Sequence, residues 1–129
     1  QMAFKPRSPG QKYRHYAPEG ELCLVSLEKG LEPMRQAIKL ALEKDRREGL
    51  KTAVLTTDDG AARYDADLVI SLGSRQQLDQ VASRLYEALH QVDQAGIVKI
   101  YAETFPENQV GKAIMNRLRK AAGGKVIIP

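Results

Sequence analysis

The residues of this chain best suited to chemistry lie together near its start. Lys12, Tyr13, Arg14, His15 and Tyr16 put two phenols, an imidazole and two cations on five consecutive positions. In an extended chain Lys12, Arg14 and Tyr16 share one side and Tyr13 and His15 the other. Such a strip can offer cations to phosphates and rings to a base or an apolar rim. A solvated basic linker is the plain alternative, although flexible linkers are poor in aromatics. A second group sits where helices are expected to follow strands, near Gly30, at Gly73-Ser74-Arg75 and at Asn108. Helix N-termini at the carboxyl edge of a parallel sheet are anion sites, so Ser74, Arg75 and Asn108 are candidates for anion binding. Every α/β fold has such helix starts, however, and none of these loops spells a dinucleotide-binding or P-loop glycine pattern.

Other polar residues have plainer readings beside the functional ones. Thr56, Thr57, Asp58 and Asp59 follow an expected strand, where ligands often bind, but turn chemistry accounts for the same residues. Arg117 and Lys120 are three apart on an expected helix and can meet RNA phosphates or an acidic neighbour. A solvated last turn complementing the helix dipole explains them equally. His90 lacks a second ligand four residues away, and Cys23 in an apolar strand reads as an inert buried thiol. Residues 20–129 show no nucleophile–base pair and no metal-ligand spacing.

These side chains need elements to position them. Pro6, Pro9, Gly10, Pro18 and Gly20 break any period, so residues 1–20 read as a linker to something upstream and residues 21–129 as the folded domain. Strands are expected at 22–25, 53–56, 68–72, 97–101 and 126–128. Leu31, Met34, Ile38, Ala41 and Leu42 mark one helical face, with Pro33 in its first turn and Gly49 as its stop. Ser74 is expected to cap a second helix facing inward through Leu78, Val81, Ala82, Leu85, Leu89 and Val92. Asn108 is expected to cap a third, with Val110, Ile114, Leu118 and Ala121 inward and Gly123 and Gly124 ending it. Alternating strands and helices, with one helix-poor link, predict an α/β fold: a Rossmann-like three-layer sandwich on a mostly parallel sheet of about five strands.

With 129 residues the chain fits one domain, and 43% apolar with 28% charged residues is a globular balance. No apolar stretch approaches the ~20 residues that span a bilayer, and no signal peptide opens the chain, so a cytoplasmic protein without membrane contact is expected. One cysteine and two histidines argue against a disulfide framework or a metal cluster. The net charge of +4 is a property of the two ends. Residues 1–18 carry four cations and no acid, and residues 112–125 carry five cations and no acid. Between them all sixteen acids face eleven basic residues. A uniformly basic nucleic-acid binder would be charged throughout.

The run SPGQKYRHYAP, residues 8–18, resembles the interdomain linker of long-form, YrdC-domain-containing threonylcarbamoyl-AMP synthases. The run GKAIMNRLRKAAGGKVI, residues 111–127, is similar to the signature of that family's C-terminal accessory domain. The order of elements between them agrees. Gln109 departs from the family, which often has a glycine there. The resemblance implies an accessory, regulatory domain that is not catalytic alone. The full enzyme, a nucleotidyltransferase, makes threonylcarbamoyl-adenylate from L-threonine, bicarbonate and ATP for the modification of tRNA adenosine 37. It implies that ATP and magnesium sit in the catalytic domain, with no cofactor in this one. The implied partners are that N-terminal catalytic domain and, through the product, the other tRNA threonylcarbamoylation proteins. Lys12 to Tyr16 would gate the substrate cleft, with Tyr16 nearest substrate. The alternative, of another class, is a tRNA- or nucleotide-binding Rossmann-like module.

Overall fold

The computed structural model describes residues 17–129. The strip Lys12–Tyr16 lies outside the described residues. Five strands, β1 (Glu21–Val25), β2 (Thr52–Thr56), β3 (Leu68–Ser71), β4 (Lys99–Glu103) and β5 (Val126–Ile127), form one sheet in the order β3-β2-β4-β1-β5. Every neighbouring pair is parallel, as alternating strands and helices require. Helix α1 (Leu31–Arg47) carries the chain from β1 past β4 to β2. Helix α2 (Leu78–Gln94) leads from β3 past β2 to β4, and α3 (Val110–Ala122) from β4 past β1 to β5. Only a short 3-10 turn, Ala61–Arg63, lies between β2 and β3.

Strand alternation sorts the core into two layers. Leu22, Leu24, Ala53, Leu55, Ile100 and Ala102 face α2 and α3, where Val81, Leu85, Leu89, Ile114 and Leu118 meet them. Val25, Val54 and Tyr101 face the other way, onto Met34, Ile38 and Leu42 of α1. β2 is buried along its whole length, as a strand covered on both faces must be. Each fully buried Leu or Ile contributes roughly 1.5–3 kcal/mol.

Strands β1, β2, β3 and β5 differ from the sequence reading by one residue at one end, and three further boundaries differ for reasons the packing shows. The second helix starts at Leu78, not behind Ser74, and Gln77 at its cap makes no side-chain cap bond. Arg75 is drawn instead to the end of β4, so residues 74–77 close a turn in which the Gln77 N–H donates to the Ser74 carbonyl at 3.0 Å. The third helix starts at Val110 with Gln109, not Asn108, at the cap. Gly111 packs so closely on the Pro106 carbonyl that a Cβ would lie 2.0 Å from its oxygen, and this contact sets the helix entry. β4 runs two residues later than expected, because the Ile97 N–H reaches back to the Val92 carbonyl and closes α2.

Candidate functional site: a buried carboxylate at the carboxyl edge of the sheet

Glu103 ends β4 with its side chain fully buried. A carboxylate in that position needs donors, and three elements supply them. From α1, Arg35 donates through Nε to Oε2 at 2.8 Å and through Nη2 to Oε1 at 3.3 Å, the two-pronged geometry a guanidinium makes with a carboxylate. From the turn before α2, Arg75 donates through Nη2 to Oε1 at 2.9 Å. From the β2–β3 link, the Tyr64 hydroxyl donates to Oε2 at 2.6 Å. Arg35 also reaches Asp59 at 3.2 Å, and Asp59 accepts from the Thr57 hydroxyl at 2.6 Å. Arg75 binds the Thr104 carbonyl at 2.9 Å and lies 4.5 Å from the centre of the Phe105 ring.

The electrostatics follow from this packing. Burial pushes the Glu103 carboxyl up, but donation from Arg35, Tyr64, Arg75 and Thr56 outweighs it and holds the group below the usual carboxylate range. Burial and the bond to Glu103 drive the Tyr64 phenol far above its ordinary value, so it stays protonated. The Arg35 guanidinium loses from desolvation, and the Glu103 and Asp59 carboxylates more than restore its charge. A carboxylate held ionised by these four donors is a weak base, and its phenol partner cannot release a proton near neutrality. The cluster is therefore a clamp: it ties α1, the β2–β3 link and the turn before α2 to one point on β4. Gly60 makes it possible, since a Cβ there would lie 2.2 Å from Thr56 Oγ1 and 3.0 Å from Glu103 Oε2.

The candidate residues are distributed around this clamp. Arg75 belongs to it, with its charge directed at Glu103 rather than at solvent. Ser74 is beside it, its hydroxyl accepting from the Gln76 N–H at 3.0 Å. Asn108 is exposed next to the start of α3. The threonine–aspartate run serves the fold as turn chemistry: Asp59 joins the clamp, and Asp58 accepts from Ser71 Oγ at 2.6 Å. Arg117 hydrogen-bonds the Tyr86 hydroxyl and lies 4.7 Å from the centre of its ring. Cys23 is half-buried and its thiol is pushed up, mainly by burial. Nothing in the sequence reading singles out Glu103, Arg35 or Tyr64. Arg35 did leave a signal, falling in line with Leu31, Ile38 and Leu42 on the apolar face of α1. Asp45 falls on that face too, buried against the Tyr101 hydroxyl.

These features define a class: a three-layer α/β domain on an all-parallel sheet, its carboxyl edge tied by a buried ion cluster. Residues 1–123 match the family described as threonylcarbamoyl-AMP synthase, C-terminal domain, and the chain belongs to that family. It is 46% identical over 123 residues to the threonylcarbamoyl-AMP synthase of Bacillus subtilis, covering 95% of this chain and 34% of that protein. The Pyrococcus abyssi synthase is 40% identical over 121 residues, covering 94% of this chain and 33% of that protein. The chain thus spans about a third of the length of these relatives. Among solved structures, P. abyssi Sua5 complexed with L-threonine superposes with a TM-score of 0.77 at 37% identity, covering 95% of this chain and 34% of that one. The C-terminal Sua5 domain from Pyrococcus horikoshii gives 0.66 at 30% identity, covering 88% of this chain and all of that one.

Proposed function

We propose that this chain acts as the accessory C-terminal domain of a threonylcarbamoyl-AMP synthase, with residues 1–20 as the linker and 21–129 as the accessory domain. The observation that carries the reading is the family match, which begins at residue 1 and so takes in the basic aromatic strip. The whole enzyme would join L-threonine and bicarbonate as a carbamate and transfer it to the adenylyl group of ATP, releasing pyrophosphate and water. ATP and magnesium belong in that scheme to the catalytic domain. The product passes to the proteins that modify tRNA adenosine 37.

In this reading Lys12, Tyr13, Arg14, His15 and Tyr16 cover the catalytic cleft. A cover excludes water from a labile carbamate and its mixed anhydride, and cations on it can meet the phosphates. The clamped sheet supplies the rigid body from which the cover is held. The test compares threonylcarbamoyl-adenylate formation by the chain alone, by the parent enzyme's catalytic domain alone, and by the two joined through residues 1–20. The joined protein is expected to be active and the chain alone inactive. In the joined protein, Tyr16→Ala with Lys12→Ala is expected to lower kcat at least tenfold. Adenylate formation by the chain alone, or full activity in that double variant, would overturn the proposal.

A further inference from the structure

From β1 the chain leaves over one face of the sheet through α1, towards β2; from β4 it leaves over the other face through α3, towards β5. The switch point of this topology falls between β2 and β4, neighbours whose connections leave in opposite directions, and the Glu103 clamp fills it. The next space along the same carboxyl edge, beyond the ends of β1 and β4 on the α3 side, is open as a cavity of about 510 Å³. That volume lies within the range of small-molecule sites, roughly 300–1,000 Å³.

The walls of the cavity select a chemistry. Leu24, Leu27, Phe105, Met115, Val126 and Ile128 make an apolar cradle. Val126 and Ile128 are 48% and 62% exposed, a solvent cost that an occupant would relieve. The polar rim consists of Ser26, Glu28, Glu107 and Arg119 beside Thr104. Arg119, the single cation among these lining residues, is ion-paired with Glu107. Thr104 Oγ1 is engaged with the Val25 carbonyl at 2.9 Å, tying the two strand ends at the crevice floor. Among the described residues, the rim therefore presents carboxylate acceptors and no uncommitted cation. It suits a donor-bearing ligand and repels a phosphate.

We propose that this crevice binds a nucleoside: a heterocycle in the apolar cradle, with sugar hydroxyls donating to Glu28 and Glu107, and no phosphate. Carboxylates beyond strand ends hold ribose hydroxyls in just this way in doubly wound sheets. The inference rests on the crevice residues alone and does not depend on the proposed linker cover.

The experiment is a titration of the full chain with adenosine and, separately, with ATP, followed by amide NMR shifts. Adenosine is expected to saturate and to move the amides of Ser26, Leu27, Phe105 and Ile128, with ATP at least tenfold weaker. Glu107→Gln leaves Arg119 without its counter-charge and is expected to narrow that preference at least threefold. Leu27→Trp fills the cradle and is expected to abolish adenosine binding; a melting curve checks that it folds, and Ile128→Trp serves as the second blocking variant. Absence of crevice shifts with adenosine would overturn the proposal. So would ATP binding as tight as adenosine, or unchanged binding in a folded blocking variant.

Discussion

Replacing Glu103 by Gln tests the clamp with little change in shape. The variant keeps one acceptor oxygen but loses the charge that Arg35 and Arg75 share, and its amide hydrogens turn towards donors. The Arg35 and Glu103 side chains are 3% and 0% exposed, so little solvent is at hand to replace the lost partner. Breaking a buried pair from one side costs about 3–5 kcal/mol. Arg35 retains Asp59 at 3.2 Å, and Arg75 is 13% exposed and can turn towards water, which places the expected loss near ~3 kcal/mol. For a domain of this size that lowers Tm by about 10–20 °C. Urea unfolding should show the midpoint falling with the slope unchanged. A pH series adds an independent signature. The folded-state pKa of Glu103 is depressed below the ordinary 4.5, so its contribution is present above that value and fades as pH falls through the lower, folded one. Wild type should therefore lose an increment of stability on acidification below about pH 4.5 that Glu103→Gln lacks. A loss under ~1 kcal/mol, as for an exposed ion pair, or identical acid limbs in the two proteins, would refute the clamp.

Three further outcomes follow from the same packing. Tyr101→Phe strips the buried Asp45 carboxylate of its phenolic donor and should cost about 1–3 kcal/mol in urea unfolding. Gly60→Ala drives a methyl to 2.2 Å from Thr56 Oγ1 inside the clamp; a destabilisation of about 1–3 kcal/mol is expected by thermal melting, and a neutral result would mean the link to β3 is loosely held. Gln109 sits at φ 48 and ψ −121, a backbone region that favours glycine. Gln109→Gly relieves strain of about 1–3 kcal/mol against ~0.5–1 of unfolded-chain entropy, so the melting temperature should rise.

The layers were legible in the sequence because helical and strand periods report burial directly. Leu78, Val81, Leu85, Leu89 and Val92 give α2 its face, and Gly49, Gly123 and Gly124 mark true helix ends with positive φ. What periodicity does not carry is a contact between distant segments. Ser74 and Asn108 have the right types for caps, yet long-range bonds from Arg75 and the close packing of Gly111 on Pro106 moved both helix starts. The clamp joins residues 35, 64, 75 and 103, so no local window contains it. Arg35 is its local trace on α1, a charged residue inside an apolar stripe; Asp45 on the same stripe marks a separate contact, answered by Tyr101 on β4.

The entry to β1 has a mechanical consequence. The Glu19 N–H is bonded to Asp93 Oδ1 at 2.8 Å, and Gly20 lies so close to the Ile97 carbonyl that a Cβ would sit 2.4 Å from its oxygen. Two residues after Pro18, then, the backbone is welded to the amino edge of the sheet. Were residues 1–20 the linker proposed above, a force arriving along it would meet a fulcrum there rather than a slack joint. Because α1, the β2–β3 link and the turn before α2 are bolted together at the opposite edge, torque applied at Glu19 turns the sheet and helices as one body. A lever of this kind transmits displacement without storing it.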